Sequence, residues 1–262
     1  MGTTAMATTQ AYGEPWYWDK RYSGEWGPFD WYQKYPSLAP LVNLYIPRHR
    51  TKVLVVGCGN SAFSEGMVED GYEEVINIDV SSVVIEAMRK KYSDCPQLKY
   101  MKMDVRDMHA FQSGCFDAVL DKGTLDSLLC GSNSRQNAAK MLEEVASISS
   151  FVHHILKQLM THYRVLKDRG IYILITYGAP SYRLHLLRDM NIWTIKLHVI
   201  EKLVVEGKSD KPLRKLTDPI PLDNNGSSME DLLGKNPDVH YIYVCTKVGS
   251  TGSSQSCESE VV

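Results

Sequence analysis

The chain has 262 residues, of which 44% are hydrophobic and 23% charged, and its formal net charge is -2. This length suits a single α/β domain with a core on both faces of a sheet. The near-neutral charge argues against a broad basic face for nucleic acid, and no apolar run reaches the roughly 20 residues that span a bilayer. We therefore expect neither a nucleic acid nor a membrane as a partner.

The six cysteines are scattered along the chain, and none of them forms a Cys-x-x-Cys pair. This spacing predicts no zinc or other metal site. The amino-terminal residues lack the pattern of a signal peptide, so we expect reduced thiols in a cytoplasmic protein, with the nucleus as the alternative compartment. The sequence does not indicate an oligomeric state.

Composition along the chain predicts one domain with less ordered ends. Residues 1–12 are small and polar and 249–262 are rich in Gly and Ser, so both stretches are expected to be disordered around a domain at 13–248. Within the domain, 13–50 is rich in aromatic residues. The stretch 207–237 carries a basic cluster and reads as a mobile loop, which either is solvated or docks on an acidic protein surface.

Short β-rich runs alternate with amphipathic stretches from residue 53 onwards. Strands are predicted at 53–56, 75–78, 98–103, 116–120, 171–176, 193–205 and 239–246, and helices at 61–70, 82–92 and 136–166. This alternation is typical of an α/β fold of the Rossmann-like, doubly wound kind. We expect a mostly parallel, seven-stranded sheet with an antiparallel last strand at its edge.

Motifs at the ends of the first two strands predict a cofactor site. The first strand runs into Gly57-Cys58-Gly59, and Asp79 ends the second strand roughly 20 residues later, where such folds place a carboxylate that binds a ribose. Val80 follows it. A lone Gly-x-Gly can be an ordinary turn, and Asp79 could instead be the N-cap of the next helix. Together they favour an adenosine-containing cofactor.

The next two strand ends decide between cofactors. Ala62 keeps a dinucleotide possible in principle, because alanine is tolerated as the third small residue of that fingerprint. Asp104-Val105 then follows the third strand and is positioned for an adenine, and Asp121-Lys122 follows the fourth. These acids could each be ordinary solubilising residues, but their order resembles class I S-adenosylmethionine-dependent methyltransferases. Several acids also suit a sulfonium and an ammonium better than a pyrophosphate.

Aromatic residues ahead of the first strand extend the resemblance. The chain reads Tyr17-Trp18-Asp19-Lys20-Arg21-Tyr22, then Asp30-Trp31-Tyr32, and later Asp-Lys-Gly-Thr-Leu-Asp. As a bare pattern these aromatics could simply cap the sheet. In combination, the motifs resemble the methyltransferase-like family that includes the lysine methyltransferases of translation elongation factor 1-alpha, and they look most like the member known from a fusion with endothelin-converting enzyme.

The resemblance implies roles for individual residues. Trp18, Tyr22 and Trp31 would close over S-adenosylmethionine as part of an aromatic lid at 13–50, and the product S-adenosylhomocysteine would leave the same site. Gly57 and Gly59 would form the turn at the methionyl end, with Asp79 and Val80 at the ribose. Asp104 and Val105 would contact the adenine, and Lys122 would line the pocket after the fourth strand.

The resemblance also implies an activity, protein-lysine N-methylation of an elongation factor 1-alpha-like protein partner. Asp121 and Tyr177 lie at strand ends and are candidates for orienting or deprotonating the acceptor amine, although Asp121 could equally brace the cofactor site. Two alternatives remain at this stage. One is a small-molecule methyltransferase, and the other is a cofactor-binding scaffold without catalysis.

Overall fold

The structure is a computed structural model that describes residues 9–24, 27–146, 165–202, 215–222, 232–234 and 237–249. Seven strands form one sheet: β1 (Lys52–Val56), β2 (Glu74–Asp79), β3 (Leu98–Lys102), β4 (Phe116–Lys122), β5 (Leu166–Thr176), β6 (Trp193–Glu201) and β7 (Val239–Lys247). Their order is β3-β2-β1-β4-β5-β7-β6. The pairs among β1 to β5 are parallel, and β7 is antiparallel to both β5 and β6. The predicted fold is confirmed.

Helices cover both faces of this sheet. The described residues form α1 (Pro15–Gly24), α2 (Tyr35–Tyr45), α3 (Phe63–Glu69), α4 (Ser82–Lys91), α5 (Thr124–Cys130), α6 (Ser134–Ala146) and α7 (Pro180–Arg188), with a short 3-10 helix at Thr9–Gly13. Side chains of α2, α3 and α4 pack in one core, and those of α5, α6 and α7 pack in the other. The central strands are therefore buried on both sides, as expected of a mostly parallel sheet.

Strand β1 shows how the sequence builds two cores. Val53 and Val55 point into the core beneath α2, α3 and α4, whereas Leu54 and Val56 point into the core beneath α5, α6 and α7. The alternation follows from the two-residue period of a strand, and the near-continuous apolar run follows from burial on both faces. Strands β1 to β5 all run parallel, so their carboxyl ends meet at one edge of the domain.

Three elements differ from the sequence-based prediction. Strand β7 lies between β5 and β6 and is buried along almost its whole length, so the expected edge strand is β6 instead. The predicted helix over 136–166 ends at Ala146 in the described part, and 147–164 lie outside the described residues. Leu166 already belongs to β5, where a bulge at Arg169, with φ of 62°, replaces the predicted helix stop.

The amino-terminal order begins earlier than expected. The 3-10 helix Thr9–Gly13 falls largely within the stretch 1–12, which the sequence predicts to be disordered. Its Tyr12 carbonyl accepts a hydrogen bond from Trp18 Nε1 at 2.8 Å, which ties this helix to α1. Residues 1–8 and 250–262 lie outside the described residues, as does most of the predicted loop 207–237. Within its described residues, the stretch 215–222 packs on β6 through a bridge between Ile220 and Leu197. Within the described residues, no helix is long and apolar enough to cross a membrane.

Candidate cofactor-binding site

A glycine turn after β1 forms the floor of the site. Gly57 and Gly59 have φ values of 59° and 55°, a conformation that favours glycine. A Cβ on Gly57 would overlap the Thr124 side chain at the start of α5, and one on Gly59 would lie 2.6 Å from Tyr22 Oη. Both glycines are thus required by close approach as well as by backbone conformation. They leave the space above β1 open to a ligand.

Asp79, at the end of β2, holds this turn in place. Its Oδ2 accepts a hydrogen bond from Gly59 N and its Oδ1 accepts one from Ser81 N, both at 2.9 Å. Burial raises the pKa of Asp79 to about 6, although these two N–H groups oppose the shift. The N-cap of α4 is Ser81, whose hydroxyl accepts from Val84 N, so Asp79 is not the helix cap that the sequence left open.

Asp104, beyond the end of β3, is already engaged by a neighbour. Arg106 donates from Nε and Nη2 to the carboxylate at 2.6 to 3.1 Å, and its backbone N donates as well. Burial alone would raise the pKa of Asp104, but these hydrogen bonds outweigh it and lower the pKa. Arg106 therefore keeps Asp104 ionised and fixes the direction in which its remaining lone pairs point. Val105 beside it is buried.

Aromatic side chains cover the cavity. We call residues 9–24 and 27–33 the lid. Trp18 stacks on Tyr22 with ring centroids 5.8 Å apart, and Trp31 meets Trp18 edge-on at 6.4 Å. The guanidinium of Arg21 lies 5.1 Å from the centroid of Trp31. The lid is joined to the start of α4 by Asp19, which accepts a hydrogen bond from the N-cap residue Ser81 through its Oγ at 2.6 Å.

The predicted lid segment, 13–50, combines two different structures. Helix α2 packs in the core through Leu38, Leu41 and Val42, which are fully buried. The lid proper ends before α2, at Gln33, whose Nε2 donates to the Glu201 carbonyl at 2.7 Å. Hydrophobic residues of α2 follow helical spacing, which distinguishes this core helix from the aromatic-rich lid.

Lys122, the last residue of β4, connects the sheet to the lid. Its Nζ donates to Asp30 Oδ1 at 3.2 Å and to the Trp31 carbonyl at 3.0 Å. Burial lowers the pKa of Lys122, and the Asp30 carboxylate opposes this shift. Asp30 also accepts from the Ser61 hydroxyl. Lys122 is thus a structural part of the closed lid as well as a lining residue.

Asp121 has a different environment from the other predicted residues. Its carboxylate is fully buried and accepts hydrogen bonds from Thr124 N at 2.8 Å, Leu125 N and Tyr172 Oη at 3.0 Å. It therefore satisfies the first N–H groups of α5. Burial first, and then the charge of Asp126, raise its pKa to about 7. Asp121 does not line the cavity.

Two residues that the sequence-based prediction did not assign face the site. Asp126, in the first turn of α5, accepts a hydrogen bond from Tyr32 Oη at 2.6 Å, and both residues line the cavity. The sequence signal was present in both cases. Asp126 closes the Asp-Lys-Gly-Thr-Leu-Asp motif one helical turn after the strand, and Tyr32 follows Trp31 directly. Tyr177 is 61% exposed and lies outside the cavity lining, while its backbone N donates to Asp126.

All the residues predicted to contact the cofactor enclose one cavity of about 230 Å³ at the carboxyl ends of β1 to β4: Trp18, Tyr22, Trp31, Gly57, Gly59, Asp79, Val80, Asp104, Val105 and Lys122. The cationic side chains among its lining residues are Arg106 and Lys122, and each already pairs with a carboxylate. The described lining of this cavity therefore has no unpaired cationic side chain that could bind a pyrophosphate. Aromatic rings and acids instead fit a cationic, adenosine-containing ligand. No group of three or more metal-ligating side chains occurs among the described residues.

Comparison with known proteins supports this assignment. Residues 54–149 match the methyltransferase domain family. The mouse protein EEF1A lysine methyltransferase 4 is 35% identical over 184 residues, which is 69% of this chain and 68% of that protein. The chain belongs to this methyltransferase family. The resemblance drawn from the motifs is therefore confirmed.

Other members of this methyltransferase family differ in length. Bovine EEF1A lysine methyltransferase 4 is 38% identical over 175 residues, which is 66% of this chain and 64% of that protein. The human eEF1A lysine and N-terminal methyltransferase is 36% identical over 170 residues, or 60% of this chain but only 24% of that longer protein. The chain thus spans less than two thirds of the bovine relative and about a quarter of the longer human one.

A solved structure supports the fold independently of close sequence similarity. A protein from work on the conversion of a disulfide bond into a thioacetal group during echinomycin biosynthesis superposes with a TM-score of 0.52 at 15% identity. The alignment covers 90% of this chain and 92% of that chain. At this identity the similarity concerns the architecture only.

Proposed function

We propose that this chain is an S-adenosylmethionine-dependent protein-lysine N-methyltransferase that acts on a translation elongation factor 1-alpha-like protein in the cytoplasm. The observation that carries the proposal is its membership of a family whose members, such as the mouse protein above, are named as lysine methyltransferases of that factor. The cavity supports it, because its acids, glycine turn and aromatic lid suit the cofactor that such a reaction requires.

Different lining residues bind different parts of the cofactor. Asp79 and Val80 bind the ribose and its surroundings, while Asp104 and Val105 bind the adenine. The turn at Gly57 and Gly59 would lie against the methionyl end, where the absence of side chains lets the backbone approach the ligand closely. Hydrogen bonds from Gly59 N and Ser81 N fix the carboxylate of Asp79 before any ligand binds. Binding of the ribose therefore costs little further conformational entropy at this side chain.

The lid attracts the positively charged cofactor and excludes water from the cavity. When bound, S-adenosylmethionine supplies a methyl group on a sulfonium cation. The rings of Trp18, Tyr22 and Trp31, which line the cavity, would favour that positive charge, and such a contact strengthens when water is excluded. Lys122 holds the lid segment at Asp30 and Trp31, which keeps the acceptor and the methyl group together in a dry pocket. Asp121 braces α5 beneath this pocket.

A labelling experiment tests the proposal. The purified protein is incubated with methyl-labelled S-adenosylmethionine and size-fractionated cell extract. Label on lysine side chains of a protein the size of elongation factor 1-alpha is the expected result. Label in small solutes would instead indicate a small-molecule methyltransferase, and binding without any label would indicate a cofactor-binding scaffold.

A further inference from the structure

Asp126, which lines the cavity, is the centre of a hydrogen-bond cluster. Its Oδ2 accepts from Tyr32 Oη at 2.6 Å and from Tyr177 N at 2.9 Å. Its Oδ1 accepts from Thr176 Oγ1 at 2.5 Å and from Arg183 Nη2 at 2.7 Å. Four donors occupy the roughly four lone-pair sites of this carboxylate. Asp126 therefore has no site left to receive a proton from an acceptor.

The cluster fixes Tyr32 rather than reacting itself. Tyr32 lies at the end of the lid with a φ of 63°, an uncommon conformation for a residue with a bulky side chain. Its ring packs against Gly123, where a Cβ would lie 3.1 Å from the ring. Backbone strain of this kind persists only where the surroundings hold it, and it is concentrated at functional sites. The phenol is thus held at the boundary between the lid and the end of β4.

The protonation state of Tyr32 limits what it can do. Burial and then the charge of Asp126 raise the pKa of the phenol above its ordinary value, so it stays protonated at neutral pH and is not a general base. Its hydrogen is committed to Asp126. Among the described residues no group donates to the phenol oxygen, so its lone pairs are not used within the cluster, and both Tyr32 and Asp126 line the cavity.

We propose that Tyr32 is a catalytic residue whose phenol oxygen accepts a hydrogen bond from the acceptor amine, with Asp126 as its positioning residue. This inference rests on the proposed function, because it requires an acceptor that carries N–H groups. The neutral amine donates one N–H to Tyr32 Oη, which turns the nitrogen lone pair towards the methyl group. The carboxylate behind the phenol increases electron density on its oxygen and strengthens that contact.

The methyl transfer requires no proton transfer to Tyr32 or Asp126. The acceptor ammonium first loses a proton to water. The nitrogen lone pair then forms the N–C bond while the S–C bond breaks, its electron pair stays on sulfur, and the positive charge moves from sulfur to nitrogen. The methylated ammonium can lose a second proton to water before another round. Tyr32 keeps its own hydrogen throughout.

Tyr32→Phe tests the proposal because it removes the hydroxyl and keeps the ring. With the protein acceptor that the wild type labels in cell extract, we expect kcat to fall about 100-fold, the loss typical of a misplaced reacting group. The KM for that acceptor should change less than threefold. Calorimetric affinities for S-adenosylmethionine and S-adenosylhomocysteine, measured without acceptor, should also stay within about threefold of the wild type, because the hydroxyl is assigned to the amine.

The chain offers a matched control in Tyr35→Phe. Tyr35 Oη donates to Asp70 Oδ2 at 2.7 Å, and Arg48 pairs with the same carboxylate, so the bond resembles that of Tyr32 but lies outside the cavity lining. Tyr35→Phe should lower the unfolding temperature by as much as Tyr32→Phe or more, with kcat unchanged. If the two variants lose kcat equally, the role of Tyr32 is structural and the proposal is overturned.

Asp126→Asn separates positioning from general stability. The amide can donate to the phenol oxygen and so occupy the lone pair that the amine needs, which should reduce kcat about as far as Tyr32→Phe. The double variant should be no slower than either single variant, since both remove one interaction. Additive losses would contradict the pairing.

The outcomes distinguish this inference from the proposed function. If the wild type labels no amine in any fraction, both fail. If it labels an amine and Tyr32→Phe transfers methyl groups at the wild-type rate, only the role of Tyr32 fails. If the labelled lysine belongs to a protein other than elongation factor 1-alpha, the proposed substrate fails, while the ratio of the two rates still decides for or against Tyr32.

Discussion

Lys122 Nζ donates a hydrogen bond to Asp30 Oδ1 at 3.2 Å, which joins the end of β4 to the lid between Phe29 and Trp31. Both side chains are largely buried, with 11% and 8% of their surface exposed. A pair so shielded from water is screened little by salt, and loss of one partner leaves the other charge uncompensated. The closed position of the lid therefore depends on a residue of the sheet.

Lys122→Met should open the lid. Because a hydrogen bond to a charged group contributes about 1.5–3 kcal/mol, we expect the Kd for S-adenosylmethionine to rise at least tenfold in calorimetry. Lys167→Met is the matched control, since Lys167 pairs with Asp117 at 2.6 Å at the opposite end of β4. Equal Kd values for the two variants and the wild type would show that Lys122 does not hold the lid.

Asp79→Ala should weaken both cofactor binding and the fold. Loss of a charge-assisted contact to the ribose hydroxyls predicts about 1.5–3 kcal/mol weaker binding of S-adenosylmethionine. The variant should also unfold at a lower temperature, because the carboxylate accepts hydrogen bonds from Gly59 N and Ser81 N. Calorimetry and thermal unfolding measure the two effects. A lower melting temperature with unchanged affinity would assign Asp79 a purely structural role.

Two truncations separate the lid from the core. A chain that begins at Gln33 keeps α2 and should fold, but it should lose affinity for S-adenosylmethionine because Trp18, Tyr22 and Trp31 are gone. A chain that begins at Thr51 also loses the buried side chains of α2 and should not fold stably. Full affinity in the first truncation would reduce the aromatics to surface packing.

The full-length chain provides a second measurement of the lid. Ordering of the lid should be linked to ligand binding, so limited proteolysis within residues 9–33 should slow when S-adenosylmethionine is added. Lys122→Met should show less of this protection at the same ligand concentration. Cleavage at an unchanged rate in the wild type would contradict the link between lid and cofactor.

The raised pKa of Asp121 predicts a pH dependence of stability. The folded-state pKa of about 7 exceeds the ordinary value of 3.8, so between these values the folded state binds more protons than the unfolded one. This contribution is fully present below pH 3.8 and is lost as the pH rises through about 7. The loss approaches about 1.4 kcal/mol per pH unit within that window.

Asp121→Asn isolates this contribution, because the asparagine does not titrate and can keep the hydrogen bond from Thr124 N. Denaturant unfolding at several pH values measures the difference in unfolding free energy between wild type and variant. That difference should decrease, in favour of the variant, as the pH rises from 4.5 to 7, a range set by the raised pKa. A constant difference would mean that Asp121 does not change its protonation state there.

The sequence was sufficient for the elements whose pattern is local. The sequence predicted β1 and β2 from their apolar runs. It also predicted that the strand-end residues Gly57, Asp79 and Asp104 lie at one site, because parallel strands bring their carboxyl ends together. The position of β7 could not be predicted, since its pairing with β5 and β6 depends on contacts far apart in the chain. Its buried polar side chains, such as His240, also gave it the alternation of an exposed edge strand.

The same limit applies to the candidate site. Asp121 and Asp126 are both acids of one motif, and only the three-dimensional direction of α5 shows that Asp121 caps the helix while Asp126 faces the cavity. The hydrogen bond between Tyr32 and Asp126 joins residues 94 positions apart, which no local pattern encodes. Partners of this kind, including Lys122 and Asp30, follow only from the docked lid.

Mass spectrometry of a purified acceptor tests directly whether the protein methylates a lysine of elongation factor 1-alpha. Unmethylated elongation factor 1-alpha is incubated with the protein and S-adenosylmethionine, digested and sequenced by fragmentation, with Tyr32→Phe in parallel. We expect one or more methyl groups on the side chain of a specific lysine, formed by the wild type and strongly reduced in the variant. An unmodified factor, under conditions in which calorimetry shows the cofactor bound, would contradict this expectation.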